Sequence, residues 1–141
     1  MNPNGLVHDL TEDQSWALLR DADIGRIVTH VRDVIDIFPV NYVVDDRSLV
    51  FRTAEGSKLV ELTIDDAVLF ESDGHSDDAA WSVVVRGHAR RLETSAEIEA
   101  ADALELRPWV PTMKRNYVRI EPDRITGRWF RRSEEPDHNL P

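Results

Sequence analysis

Trp81-Ser82-Val83-Val84-Val85-Arg86-Gly87-His88-Ala89-Arg90-Arg91-Leu92-Glu93 is the longest stretch of strand character in the chain. Val83, Val85, Gly87 and Ala89 fall on one face and Val84, Arg86, His88 and Arg90 on the other, the period of two that marks a half-buried strand. Further strands are expected on both sides of it. Arg26–Val31 follows Gly25. Val34–Val44 is rich in β-branched and aromatic residues and is interrupted by Pro39, which has no ladder donor and requires a bulge or an edge. Asp45-Asp46-Arg47-Ser48 is a turn that makes Val34–Val44 and Ser48–Arg52 a hairpin. Ala67–Ser72 is the next strand, and Asp73 to Asp78 reads as a solvated polar loop. Tyr117–Glu121 and Ile125–Phe130 read as two closing strands around Pro122-Asp123.

Helices are fewer. Thr11-Glu12-Asp13-Gln14 and Thr94-Ser95-Ala96-Glu97 both have capping-box spacing, starting helices to about Asp21 and about Leu104. A short helix is expected around Lys58–Thr63. Pro108 and Pro111 bracket Trp109 in an irregular link. Six or seven mostly antiparallel strands with flanking helices make a mainly β, α+β chain, best satisfied by a small β-barrel. One domain over residues 1–132 is expected, followed by a frayed polar tail from Ser133 to Pro141.

Composition excludes several function classes. The chain has 141 residues, with 27 acidic against 17 basic and a formal net charge of -10. This argues against general nucleic-acid binding and against anionic membranes. With no cysteine, thiolate metal sites, iron–sulfur clusters and Cys nucleophiles are absent. The five histidines form no HxH or HxxxH pair, so no metal site is expected. No Rossmann, P-loop or nucleophile-elbow motif occurs. Met1-Asn2-Pro3-Asn4-Gly5 has neither the basic start nor the apolar core of a signal peptide, and a cytoplasmic protein is expected.

Against this acidic background, Phe51-Arg52-Thr53-Ala54-Glu55-Gly56-Ser57-Lys58 places two cations and two hydroxyls within seven residues. An anion, most simply a phosphate, suits the set. Arg52 offers a planar fork, Lys58 a point charge, and Thr53 and Ser57 hydroxyl donors. A helix starting at Ser57 or Lys58 would add its unpaired N–H groups. The alternative is an ordinary loop whose basic groups offset local acid.

Four segments in this order and spacing carry a resemblance: Pro39-Val40-Asn41-Tyr42, the Phe51–Lys58 loop, Trp81 to Gly87, and Arg124-Ile125-Thr126-Gly127-Arg128. Together they resemble the pyridoxamine 5′-phosphate oxidase-like family of flavin-binding split β-barrels, in its small single-domain branch, over roughly Leu10 to Phe130. The resemblance implies a homodimer with FMN in a cleft between subunits. It implies that Val40, Asn41 and Tyr42 line the isoalloxazine, largely through backbone groups. Arg52, Thr53, Ser57 and Lys58 would hold the flavin phosphate. Ser82 is a further flavin-contact position, and Trp129 with Arg131 would approach from the partner subunit. The Trp-Gln-Gly and Arg-Leu-His stretches of the vitamin B6 oxidases are missing, which argues against oxidation of pyridoxamine phosphate itself. The deazaflavin F420 is the alternative cofactor, and the acidic balance favours FMN over its polyanionic tail.

Plainer roles fit the remaining residues. The four tryptophans read as core or dimer-interface anchors. Arg86, His88 and Arg90 read as partners for acids of a second subunit, and Tyr117 with Arg119 as an exposed strand face. No side chain stands out as a catalytic acid or base, as a flavin supplies the hydride chemistry itself. Two classes follow: an oxidoreductase passing hydride between reduced nicotinamide and a small organic acceptor, or a flavin-binding protein without turnover.

Overall fold

The computed structural model describes residues 6–54, 56–104, 106 and 116–132, without the side chains of residues 57–59. Ten elements alternate along it: β1 (Val7–Leu10), α1 (Glu12–Asp21), β2 (Ile24–Val31), β3 (Val34–Asp45), β4 (Ser48–Thr53), α2 (Ser57–Ile64), β5 (Ala67–His75), β6 (Ala79–Arg91), α3 (Ser95–Asp102) and β7 (Asn116–Arg131). The strands pair in the order β1-β7-β4-β3-β2-β5-β6, and β6 returns to pair with β7. Six strands therefore close a barrel, with every pairing antiparallel and β1 attached outside the ring. Closure removes most of the exposed edge that an open sheet would present.

β6 behaves as its alternation predicts: Val83, Val85, Gly87 and Ala89 are buried while Arg86, His88 and Arg90 are exposed. Its partner corrects the sequence reading. β7 is one continuous strand, not two around a turn at Pro122-Asp123. The pairing passes from Arg86↔Arg124 to Gly87↔Pro122, leaving Asp123 as the extra residue of a bulge. A bulge accommodates the missing N–H of Pro122. Gly87 is required opposite it, since a Cβ there would lie 2.2 Å from the Glu121 carbonyl oxygen.

Other expectations divide. Pro39 pairs with Arg26 on one side only, because β4 pairs with β3 no further back than Tyr42; the edge reading holds. β5 runs on through Asp73-Gly74-His75, so only residues 76–78 remain as loop. β1 has no counterpart in the sequence reading. The capping box at Thr11 forms with both reciprocal bonds. At Thr94 the hydroxyl accepts from Glu97 N at 3.1 Å, but the Glu97 carboxylate takes Arg90 at 2.8 Å instead. Trp109 and the polar tail lie outside the described residues.

Inside the barrel, Phe51, Phe70, Ile27 and Val85 are fully buried, and α1 covers one side with Trp16 and Leu19. A smaller cluster of Val50, Leu92, Ala101 and Tyr117 sits outside the ring beneath α3. Tyr117 is therefore covered rather than exposed, and its hydroxyl bonds the Asp102 carboxylate. Trp81 packs against the main core, whereas Trp129 meets His8 with ring centroids 5.3 Å apart.

The bulge also sets a charge clasp. His88 Nδ1 lies 3.0 Å from Asp66 and Nε2 3.0 Å from Asp123. Acids of the same chain thus meet His88 and Arg90. The hydrogen bond to Asp66, and then the Asp123 charge, hold the imidazole above its usual range. A raised pKa means that the folded state holds the proton more tightly. Its stabilisation is complete below the ordinary histidine range and is lost as pH rises through the raised value. The difference in melting temperature between the native chain and His88→Gln should be larger at about pH 6 than at about pH 9. A difference that is flat over that range would contradict the clasp.

Candidate functional site

Strand alternation at the end of β4 turns Phe51 into the core and leaves Arg52 half-buried at the surface. Arg52 pairs across to Tyr117, and its guanidinium carbon sits 5.4 Å from that ring's centroid. This contact holds the fork over the Tyr117 ring at a favourable cation–π distance. Thr53 is buried, and its hydroxyl donates to the Ala54 carbonyl at 3.1 Å, so its proton is already engaged locally.

α2 begins at Ser57, as the sequence suggests. Its N-cap is Gly56, no side chain caps it, and no acid occupies its first turn. α1 and α3, by contrast, are capped by threonines and carry acids there. Among the described residues, the first N–H groups of α2 and the positive end of its dipole meet no capping side chain. Thr29 anchors the helix from within the barrel, donating to Glu61 at 2.9 Å. The side chains of Ser57 and Lys58 lie outside the described residues, although their backbone forms this first turn.

Val40 and Tyr42 point inward, 3% and 4% exposed. The Tyr42 hydroxyl donates to the Leu19 carbonyl at 2.8 Å, and burial pushes its pKa up to about 12. Tyr42 is therefore a neutral core donor with no proton to give at neutral pH. Both side chains are turned away from this edge, which presents their backbone alone. Asn41 is half-buried, and its amide donates to the Asp23 carbonyl at 3.3 Å. Because β4 pairing stops at Tyr42↔Phe51, β3 and β4 fork apart just where Asn41 and Arg52 emerge.

Ser82 and Trp129 are not brought to this fork. Ser82 faces outward between Asp73 and Arg128. Trp129 lies twelve residues along β7 from Tyr117, the cross-strand partner of Arg52. At ~3.3 Å per residue this is roughly 40 Å of strand contour. One chain carries the proposed phosphate end and the proposed ring end at opposite ends of β7.

Two features of the outer barrel face escaped the linear reading. Arg26 Nη1 lies 2.6 Å from Glu71 and 3.3 Å from Asp73. Burial, and then the neighbouring Asp73, raise Glu71 to about 7 despite the arginine. This carboxyl changes charge near neutrality. The second feature is apolar: Ile35 and Ile37 are 67% and 60% exposed, and Ile37 continues through Val28 to Leu69 across three strands. A cleft of about 400 Å³ opens there, lined by Val28, Ile35, Leu69, Arg86 and His88 among others. Only the strand registers reveal either cluster, since Arg26 and Glu71 stand 45 residues apart.

Comparison with known proteins adds family relations. Residues 11–129 match the family model described as pyridoxamine 5′-phosphate oxidase. A solved Corynebacterium glutamicum structure, described as a candidate enzyme of that name, is 47% identical with a TM-score of 0.86, covering 96% of this chain and 99% of its own. The FAD binding protein from Mycobacterium smegmatis is 44% identical with a TM-score of 0.76, covering 87% and 98%. An uncharacterized protein of Mycobacterium tuberculosis is 44% identical over 97 residues, 69% of this chain and 88% of the relative.

Proposed function

The chain belongs to the pyridoxamine 5′-phosphate oxidase family, and from that premise we propose that it binds FMN and passes hydride from a reduced nicotinamide to a small organic acceptor. The observation that carries this reading is the start of α2, which no side chain caps, a few residues after the half-buried Arg52 fork. A phosphate there meets a guanidinium, the Lys58 charge and first-turn N–H groups together, the donor set that such an anion selects. Bound flavin would supply the redox chemistry. The chain's own residues hold its phosphate and fix the ring against the β3 edge near Asn41.

The ring end needs a second copy. The outward strip of Ile35, Ile37, Val28 and Leu69 is apolar where a monomeric barrel would be polar, and it shares its face with Ser82. Docking two copies through this face offers each Arg52 end the Ser82 and Trp129 end of its partner. A second reading is FAD as the cofactor, favoured by the FAD binding relative at 44% identity.

Riboflavin lacks the phosphate. Charge-assisted hydrogen bonds contribute about 1.5–3 kcal/mol each, so FMN should bind at least about tenfold more tightly in a fluorescence titration. Combined Arg52→Gln and Lys58→Gln should abolish that preference with the fold retained by circular dichroism. Equal affinities for the two ligands in the native chain would refute the phosphate site. Ile37→Asp should turn a dimer into a monomer by light scattering and release flavin in the same step. A monomeric native protein holding flavin one-to-one would refute the shared cleft.

A further inference from the structure

On the outer face of β6 and β7, well away from Arg52, a second cleft of about 420 Å³ is lined by Arg86, Arg124, Thr126, Arg128 and Asp9 among others. This volume falls in the ~300–1,000 Å³ range of small-molecule sites. Arg124, Thr126 and Arg128 occupy alternate positions on β7 and so project to one side, while Arg86 stands directly opposite Arg124. Like charges facing each other across a strand pair are destabilising. Neighbouring acids do not relieve this pair. Among the described residues neither Arg86 nor Arg124 has an ion-pair partner, Asp123 is engaged with His88, and Asp9 reaches only Arg128, at 3.9 Å. A chain with 27 acidic residues has left three guanidiniums around one cleft with a single carboxylate.

We propose that this cleft is a binding site for the diphosphate group of a dinucleotide. Arg124 and Arg128 are four residues apart, about 13 Å of strand. Their side chains and that of Arg86 can close on an extended oligo-anion from two strands, with the Thr126 hydroxyl between them. A single carboxylate would satisfy one fork and leave the others unmatched. Two sources share the chemistry: the reduced nicotinamide dinucleotide that the proposed reaction consumes, and a dinucleotide flavin. The site itself stands on its own residues, independently of the flavin reading.

The test uses the full chain carrying Arg52→Gln and Lys58→Gln, so that only this cleft is probed, with inorganic pyrophosphate titrated by calorimetry. Binding should be measurable, should weaken as salt is raised, and should fall at least about tenfold when Arg86→Gln and Arg124→Gln are added. Arg124→Glu provides a second variant, since it gives Arg86 a countercharge. It should melt no lower than its parent and still lose pyrophosphate. Unchanged affinity in both variants, or no binding at millimolar pyrophosphate, would overturn the site. In the chain with Arg52 and Lys58 intact, Arg86→Gln with Arg124→Gln should weaken either NADH or FAD. Loss of NADH alone identifies the nicotinamide dinucleotide, and loss of FAD with NADH unchanged identifies the flavin. If neither is weakened, the cleft holds an adventitious ion only and the proposal fails. A protein that binds no flavin yet binds pyrophosphate through Arg86 and Arg124 keeps this site while losing the flavin reading.

Discussion

The pairing of β6 with β7 is the constraint on which the remaining structure depends. It runs from Ala79↔Arg131 to Arg91↔Val118 and converts an open sheet into a closed ring. Closure fixes which side of every strand faces inward, because the side-chain period is two. The bulge at Asp123 then changes the strand's direction without ending it. Had Gly87 carried a Cβ, the Glu121 carbonyl could not approach and the two halves of β7 could not lie against one continuous partner. The positions of Arg52 at one end, Trp129 at the other, and Arg86 with Arg124 between them all follow from this register.

Two kinds of outer surface result. Across β3, β2 and β5 the outer face carries the apolar Ile35, Ile37, Val28 and Leu69 beside His30 and the Arg26–Glu71–Asp73 cluster. Across β6 and β7 they are basic, in a chain that is acidic overall. Arg86 borders both clefts. A partner copy on the apolar face and an anionic ligand on the basic face would therefore be neighbours. Glu71 adds a charge that changes near neutral pH at the centre of the first surface. Its burial and its acidic neighbour outweigh the attraction of Arg26, a balance that depends on how much water the face retains.

The barrel was legible in the sequence wherever alternation was strong, and β6 shows why. Its inward Val83, Val85, Gly87 and Ala89 differ in kind from the outward Arg86, His88 and Arg90. In sequence β7 reads as two strands because Pro122 is a local stop signal, and only a long-range partner shows that the ladder continues past it. β1 is four residues with a mixed pattern, held by β7 rather than by its own propensity. Tyr117 looked exposed because the helix that covers it, α3, approaches from a different part of the chain. At the site, the start of α2 is readable in the sequence since it is local. The separation of Ser82 and Trp129 from Arg52 was not, because it depends on strand length and register. The same holds for the Arg86–Arg124 opposition, whose members stand far apart in sequence.

On the reading proposed above, the flavin phosphate sits where β4 gives way to α2. A crystal structure of the protein grown with FMN tests it most directly. The phosphate should lie within charge-assisted hydrogen-bond distance, about 2.7–2.9 Å, of the Arg52 guanidinium. It should also accept N–H groups from the first turn of α2, with the ring against β3 near Asn41. A well-ordered FMN whose phosphate lies elsewhere, with Arg52 still resting on Tyr117 and α2 uncapped, would contradict the account.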